Sequence, residues 1–233
     1  MPARWLVVAL GLLLLPAFTA GPAPAPLPSG RMALVFFDSL ALMRGEGQDA
    51  SVPGLVRRFE GPVVIRLRGS ASARTRAEVA RIAARLSDWT GRRFRLVDEI
   101  PYRTRHIDIT VHDDARVGAR HGDEGAVCFT RTWGRQGHLF RAAIDIGADY
   151  ADCLAHEMMH AVGFDNHWAG RDAGADCPSV LAHRHTDART SDFSAFDEMA
   201  IRLLYSAELS PGMVRAEALA IARRALMPGR SAS

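Results

Sequence analysis

The chain has 233 residues, 48% of them hydrophobic, and a formal net charge of +3. That is enough apolar material for one globular domain, too little length for several, and it excludes long disorder. All 29 basic residues are arginine, dispersed among 26 acids; a nucleic-acid surface needs them clustered on one face or one helix, so nucleic acid is excluded as a partner.

At the start, Arg4, an apolar run from Trp5 to Leu15, Pro16 and small residues ending at Ala20 read as a secretory signal over residues 1–20. The run is shorter than the about 20 apolar residues of a membrane span, so the expectation is export to a secreted or periplasmic location without stable membrane insertion. Residues 21–30, rich in proline and alanine, read as an extended spacer, and 31–233 as the domain. Export permits disulfides, and Cys128, Cys153 and Cys177 allow at most one bond within the chain. The fold must therefore rest on its apolar core.

Met32 to Met43 is apolar but follows no single period, and Gly45 to Gly54 reads as a loop. The β-branched run Val63 to Leu67 predicts a strand. Thr75 is expected to cap a helix whose apolar positions Val79, Ile82, Ala83, Leu86 and Trp89 follow the three-and-four spacing, with Gly91 ending it. Strands are predicted at Phe94 to Val97, Ile107 to Val111, Ala126 to Thr130 and Leu139 to Ile146, and helices at Tyr150 to Val162, Ala195 to Tyr205 and Pro211 to Met227. Strands with one early helix, followed by helices, give a single mixed α/β or α+β domain.

The informative segment is His156-Glu157-Met158-Met159-His160. Two histidines four apart share a helix face and can offer nitrogens to one ion, while the adjacent glutamate can reach a metal-activated water. Chance would place such a triple on the order of 0.01 times in a chain of this composition. Leu154, Met158 and Ala161 lie on another face, suited to packing on the sheet. A zinc ion with three protein ligands lowers the pKa of a bound water to about 7, and Glu157 would take that water's proton during attack on a carbonyl and pass it to the leaving amine.

His156 to Gly163 reads H-E-M-M-H-A-V-G, which resembles the metzincin zinc metallopeptidases, whose pattern H-E-x-x-H-x-x-G-x-x-H takes its third ligand from just beyond the glycine. That pattern points to Asn166, and histidine comes one place later, at His167. Ser179-Val180-Leu181-Ala182-His183 stands where that resemblance implies the turn beneath the metal, with Leu181 at the methionine position and His183 where some metzincins carry a metal-reaching tyrosine. His183 could bind zinc or stabilise the oxyanion. From about Phe59 to Met227 the chain also resembles the exported bacterial family catalogued as domain of unknown function 2927, through Trp89-Thr90-Gly91, Cys153 to Asn166, and Phe196-Asp197 through Leu203-Leu204-Tyr205 to Ser210-Pro211-Gly212-Met213. Many members carry Glu and Gln in place of His156 and His160, so this chain would be an active branch or close to an active ancestor. Together these resemblances imply a metzincin-like domain with a mixed twisted sheet, an active-site helix and C-terminal helices.

The third ligand is open among His167, His183, Asp165 and Asn166, in that order of chemistry and reach; a neutral amide is a weak zinc ligand. Cys153, three residues before His156, could complete a Cys-His-His site. The exported compartment and the family resemblance imply instead a Cys128–Cys153 disulfide, with Cys177 the odd residue. Asp113, Asp114, Asp123 and Glu124 read as a polar loop, since their spacing fits no calcium loop. His106, His112, His121 and His138 read as ordinary loop or strand residues. The expected function is an exported zinc-dependent metallopeptidase with Zn2+ on His156, His160 and His167, catalytic Glu157 and His183, and a peptide or protein substrate pairing with the edge of Ala126 to Thr130. The alternative is an inactive envelope binding module with a structural zinc or none.

Overall fold

The computed structural model describes residues 27–43, 54–113, 117–122, 126–148, 150–168, 177–182 and 190–228. The expected signal, residues 1–20, lies outside them. The strands are β1 (Arg58–Phe59), β2 (Val63–Gly69), β3 (Phe94–Val97), β4 (His106–His112), β5 (Cys128–Arg135) and β6 (His138–Gly147), and the helices α1 (Gly30–Phe37), α2 (Ala73–Thr90), α3 (Leu154–Ala161), α4 (Ala195–Leu204) and α5 (Arg215–Leu226). They form one mixed α/β domain.

The sheet runs β1-β6-β4-β2-β3, with β5 paired to β6. All of its pairs are parallel except β5 with β6, which is antiparallel. Register places Leu67, Ile109, Ile144 and Thr130 in one row, with Ile65, Ile107, Ala142 and Thr132 in the next. The apolar members of these rows are buried. Strand side chains alternate between faces, so the opposite face receives Arg66, Asp108, Ala143 and Arg131. There Arg66 Nε donates to Asp108 Oδ1 at 2.8 Å. One apolar and one charged face mean that the helices gather on a single side: α2 packs on β3 and α4, and α3 on β5 and β6.

α2 follows its predicted apolar stripe, and Val79, Ile82, Ala83, Leu86 and Trp89 are all buried. Its cap is Ser72 rather than Thr75. Ser72 Oγ accepts from Thr75 N at 3.0 Å, and Thr75 is buried in the first turn. β5 is longer than the predicted Ala126 to Thr130 because pairing with β6 continues to a two-residue hairpin turn, Gln136-Gly137, with φ of 50° and 81°. A Cβ on Gly137 would lie 2.1 Å from Gly212 N and 2.3 Å from Val56 O, so only glycine fits that crossing. The last helix begins at Arg215, not Pro211, because the preceding residues are engaged elsewhere: Gly212 N donates to Val56 O at 2.9 Å, and Val214 bridges to Leu55.

Cys128 at the start of β5 is disulfide-bonded to Cys153 immediately before α3, with Cα atoms 6.6 Å apart and a sequence separation of 25. The bond ties the edge strand to the helix that carries His156. Closing a loop of this length destabilises the unfolded chain by about 3.5 kcal/mol. Replacing both cysteines by alanine is therefore expected to lower the unfolding free energy by about 2–4 kcal/mol, read from urea unfolding monitored by circular dichroism. An unchanged midpoint would show that the bond does not restrain the fold.

Candidate metal centre

A short 3₁₀ turn, Ala151–Cys153, leads into α3. Leu154, Met158 and Ala161 are fully or almost fully buried, and this anchoring leaves His156 and His160 together on another side of the helix. The helix stops at Val162. Gly163 follows with φ of 122°, and a Cβ there would meet Arg57 O at 2.0 Å, so the chain turns hard against the residue preceding β1. That turn delivers the segment to His167.

The structure brings three imidazoles to one point. His156 Nε2 lies 3.2 Å from both His160 Nε2 and His167 Nε2, and His160 Nε2 lies 3.4 Å from His167 Nε2. The far nitrogens of two rings are committed elsewhere: His156 Nδ1 donates to Val180 O at 2.7 Å, and His160 Nδ1 to Phe164 O at 2.6 Å. A carbonyl can only accept, so Nδ1 carries the proton in both rings and each Nε2 presents a lone pair to the cluster. Burial, with His156 and His167 alongside, lowers the His160 pKa to about 3, which keeps that ring neutral and able to ligate. A tetrahedral zinc ion with bonds of about 2.0–2.1 Å sets its nitrogens roughly 3.3–3.4 Å apart, which matches these spacings. Three imidazoles therefore fit a zinc ion in chemistry and in reach. Among the described residues no other trio of His, Cys, Asp or Glu converges in this way.

Glu157 is buried on the same helix, its Oε2 accepting from Thr130 Oγ1 of β5 at 2.6 Å. Its Oε1 lies 4.0 Å from His156 Nε2. A short bond to a charged oxygen fixes the carboxylate rotamer beside the cluster. β5 pairs only with β6, which leaves its outer side without a strand among the described residues.

Asp165 and Asn166, both candidates for the third ligand, are held by other groups. Asp165 is ion-paired with Arg57, whose other nitrogen donates to Thr132 Oγ1 at 2.8 Å. Asn166 Nδ2 donates to Met43 O at 3.1 Å. His183 lies outside the described residues, as do Asp114, Asp123 and Glu124. Cys153 is in the disulfide rather than at the cluster, and Leu181 is fully buried. Reading the sequence missed Thr130 and Arg57 as partners of the site, and no local pattern marks either one. The Val180 carbonyl was equally invisible, although the surrounding turn was singled out.

These observations define a mixed α/β domain in which one short helix and the loop after it gather three imidazoles beside a buried glutamate. The chain belongs to the family described as "Protein of unknown function (DUF2927)", whose model matches residues 32–224. Among solved structures it is similar to high choriolytic enzyme 1, a hatching enzyme zinc-protease from the medaka fish Oryzias latipes. The identity is 14%, the match covers 70% of this chain and 98% of that chain, and the TM-score is 0.39. No curated protein sequence matches the chain significantly.

His160 also sets a pH dependence for the metal-free protein. The ordinary histidine value is 6.5 and the folded value about 3, so between them the unfolded chain binds more protons. The stability that depends on neutral His160 is complete above about 6.5 and is lost as pH falls toward 3. In chelator-treated protein, unfolding free energy should fall through that window more steeply for the wild type than for His160→Gln. Parallel pH profiles would contradict the assignment.

Proposed function

We propose that this protein is an exported zinc-dependent metallopeptidase. The observation that supports it most directly is the convergence of His156, His160 and His167 within 3.4 Å beside the Thr130-held carboxylate of Glu157. In this reading His156, His160 and His167 hold the metal, Glu157 moves the proton and His183 stabilises the developing oxyanion. Zinc bound there would supply Lewis acidity, lowering the pKa of a water to about 7 and polarising the scissile carbonyl.

The chain's own groups do the rest. Thr130 donates to one oxygen of Glu157 and orients the carboxylate as general base, which takes a proton from the attacking water and returns it to the leaving amine. A peptide or protein substrate in extended form adds to the outer edge of β5 through main-chain hydrogen bonds, which brings it past Thr130. The Cys128–Cys153 bond is compatible with an exported protein in a secreted or periplasmic setting. No helix among the described residues is long and apolar enough to cross a membrane.

Glu157→Gln should retain zinc and lower kcat/KM on a casein or peptide-library substrate by about 10²–10⁴-fold. Unchanged hydrolysis in Glu157→Gln would refute the role of the carboxylate. Zinc held by the wild type with no Glu157-dependent hydrolysis would favour a binding module with a structural ion.

A further inference from the structure

α4 opens with a capping box in which Asp197 N donates to Ser194 Oγ at 3.2 Å and Ser194 N donates to Asp197 Oδ2 at 2.9 Å. Capping needs no more than an exposed acid or amide at the helix start. Asp197 is instead fully buried, as is Ser179, and burying a carboxylate is costly unless its oxygens are otherwise engaged. The remaining capacity of the carboxylate is spent on a distant turn. Oδ1 accepts the Ser179 hydroxyl at 2.6 Å and Oδ2 accepts Val180 N at 3.1 Å, while Ser179 Oγ accepts Leu181 N at 3.0 Å.

Asp197 thus fixes Ser179 and Val180 directly and Leu181 through the Ser179 hydroxyl, and Val180 and Leu181 lead on toward the histidine cluster. Val180 O accepts from His156 Nδ1 at 2.7 Å. Leu181 O accepts from Trp168 N at 2.8 Å, and Trp168 directly follows His167. The same turn therefore sets the ring of His156 and the backbone beside His167.

We propose that Asp197 is a positioning residue of the metal centre, acting through Ser179, Val180 and Leu181 to aim His156 and His167 at a common point. The inference rests on the metal-binding reading above and is independent of peptide hydrolysis. A group bonded directly to a metal ligand, as Val180 O is to His156, typically contributes about 10–100-fold in affinity, and Asp197 acts one step behind it.

The test uses the full chain as wild type, Asp197→Asn, Ser179→Ala and Ser72→Ala, the last removing the cap of α2 as a control for lost stability. Zinc affinity is measured by chelator competition, the cobalt(II) visible spectrum reports ligand geometry, and thermal unfolding reports stability. Asp197→Asn and Ser179→Ala should weaken zinc by up to about 10-fold, the lower end of the effect of direct partners, and alter the cobalt spectrum. Ser72→Ala should lower Tm with both metal readouts unchanged. If Asp197→Asn does not fold, Ser179→Ala decides. Wild-type affinity and spectrum in folded Ser179→Ala, or an equal loss in Ser72→Ala, would overturn the proposal. Zinc binding by the wild type without peptidase activity would remove the peptidase reading and leave this inference intact, whereas a wild type that takes up no zinc would overturn both.

Discussion

Three imidazole nitrogens held within 3.4 Å of one another repel unless a cation or a proton lies between them. In two of the rings the proton is already committed to a carbonyl on the far side, at Val180 and Phe164. Burial of His160 opposes a second proton there. The fold therefore directs the lone pairs of His156 and His160 at His167 at an electrostatic cost, which a divalent ion placed there would offset. Other features of the site can be understood as means of holding that cluster in place.

α4 is the strut. At its first turn Asp197 fixes the Ser179–Leu181 turn that supports His156 and the neighbour of His167. Just past its last turn, Tyr205 donates its hydroxyl to Val162 O at 3.0 Å, where α3 ends, and accepts from Phe59 N at 3.2 Å. Burial drives the Tyr205 pKa up, so the phenol remains a donor throughout the ordinary pH range. Arg58, also buried, donates to Leu204 O and Ser206 O at 2.8 Å each and closes the end of α4. Both ends of one helix thus restrain the two segments that carry the imidazoles, and the disulfide restrains the start of α3 from the opposite side.

The elements most legible from sequence were those whose period is set by a single buried face. β4, β6 and the stripe of α2 follow this rule, while β2 was marked by its β-branched run, and the Ser194–Asp197 capping box that starts α4 became visible only in the structure. Met32 to Met43 resisted assignment because α1 passes into a π-helical turn at Asp38–Leu42 and buries residues on several sides, including Phe36, Phe37, Leu40 and Leu42. The second half of β5 was hidden for a different reason. As an edge strand with Arg131 and Arg135 exposed, it has too little apolar content to register as a strand. Thr130 on Glu157 and Arg57 on Asp165 join residues 27 and 108 positions apart, and such pairs depend on topology rather than on local pattern.

The loop after α3 gives a physical account of why position 167, rather than 166, meets the other two rings. Between Gly163 and Trp168 the chain is pinned at almost every residue: Gly163 lies against Arg57 O, Phe164 O receives His160 Nδ1, Asp165 pairs with Arg57, Asn166 donates to Met43 O, and Trp168 N donates to Leu181 O. An extra residue in an unrestrained loop would leave His167 free to sample many positions, which weakens a ligand by the entropy of ordering it. Here Asp165 and Asn166 are directed to partners outside the cluster. The side chain one position further on is then the one whose Nε2 arrives 3.2 Å from His156 Nε2. Residue type and spacing are thus coupled: in this loop a histidine at position 166 would occupy the place from which Asn166 now reaches Met43, away from the other two rings.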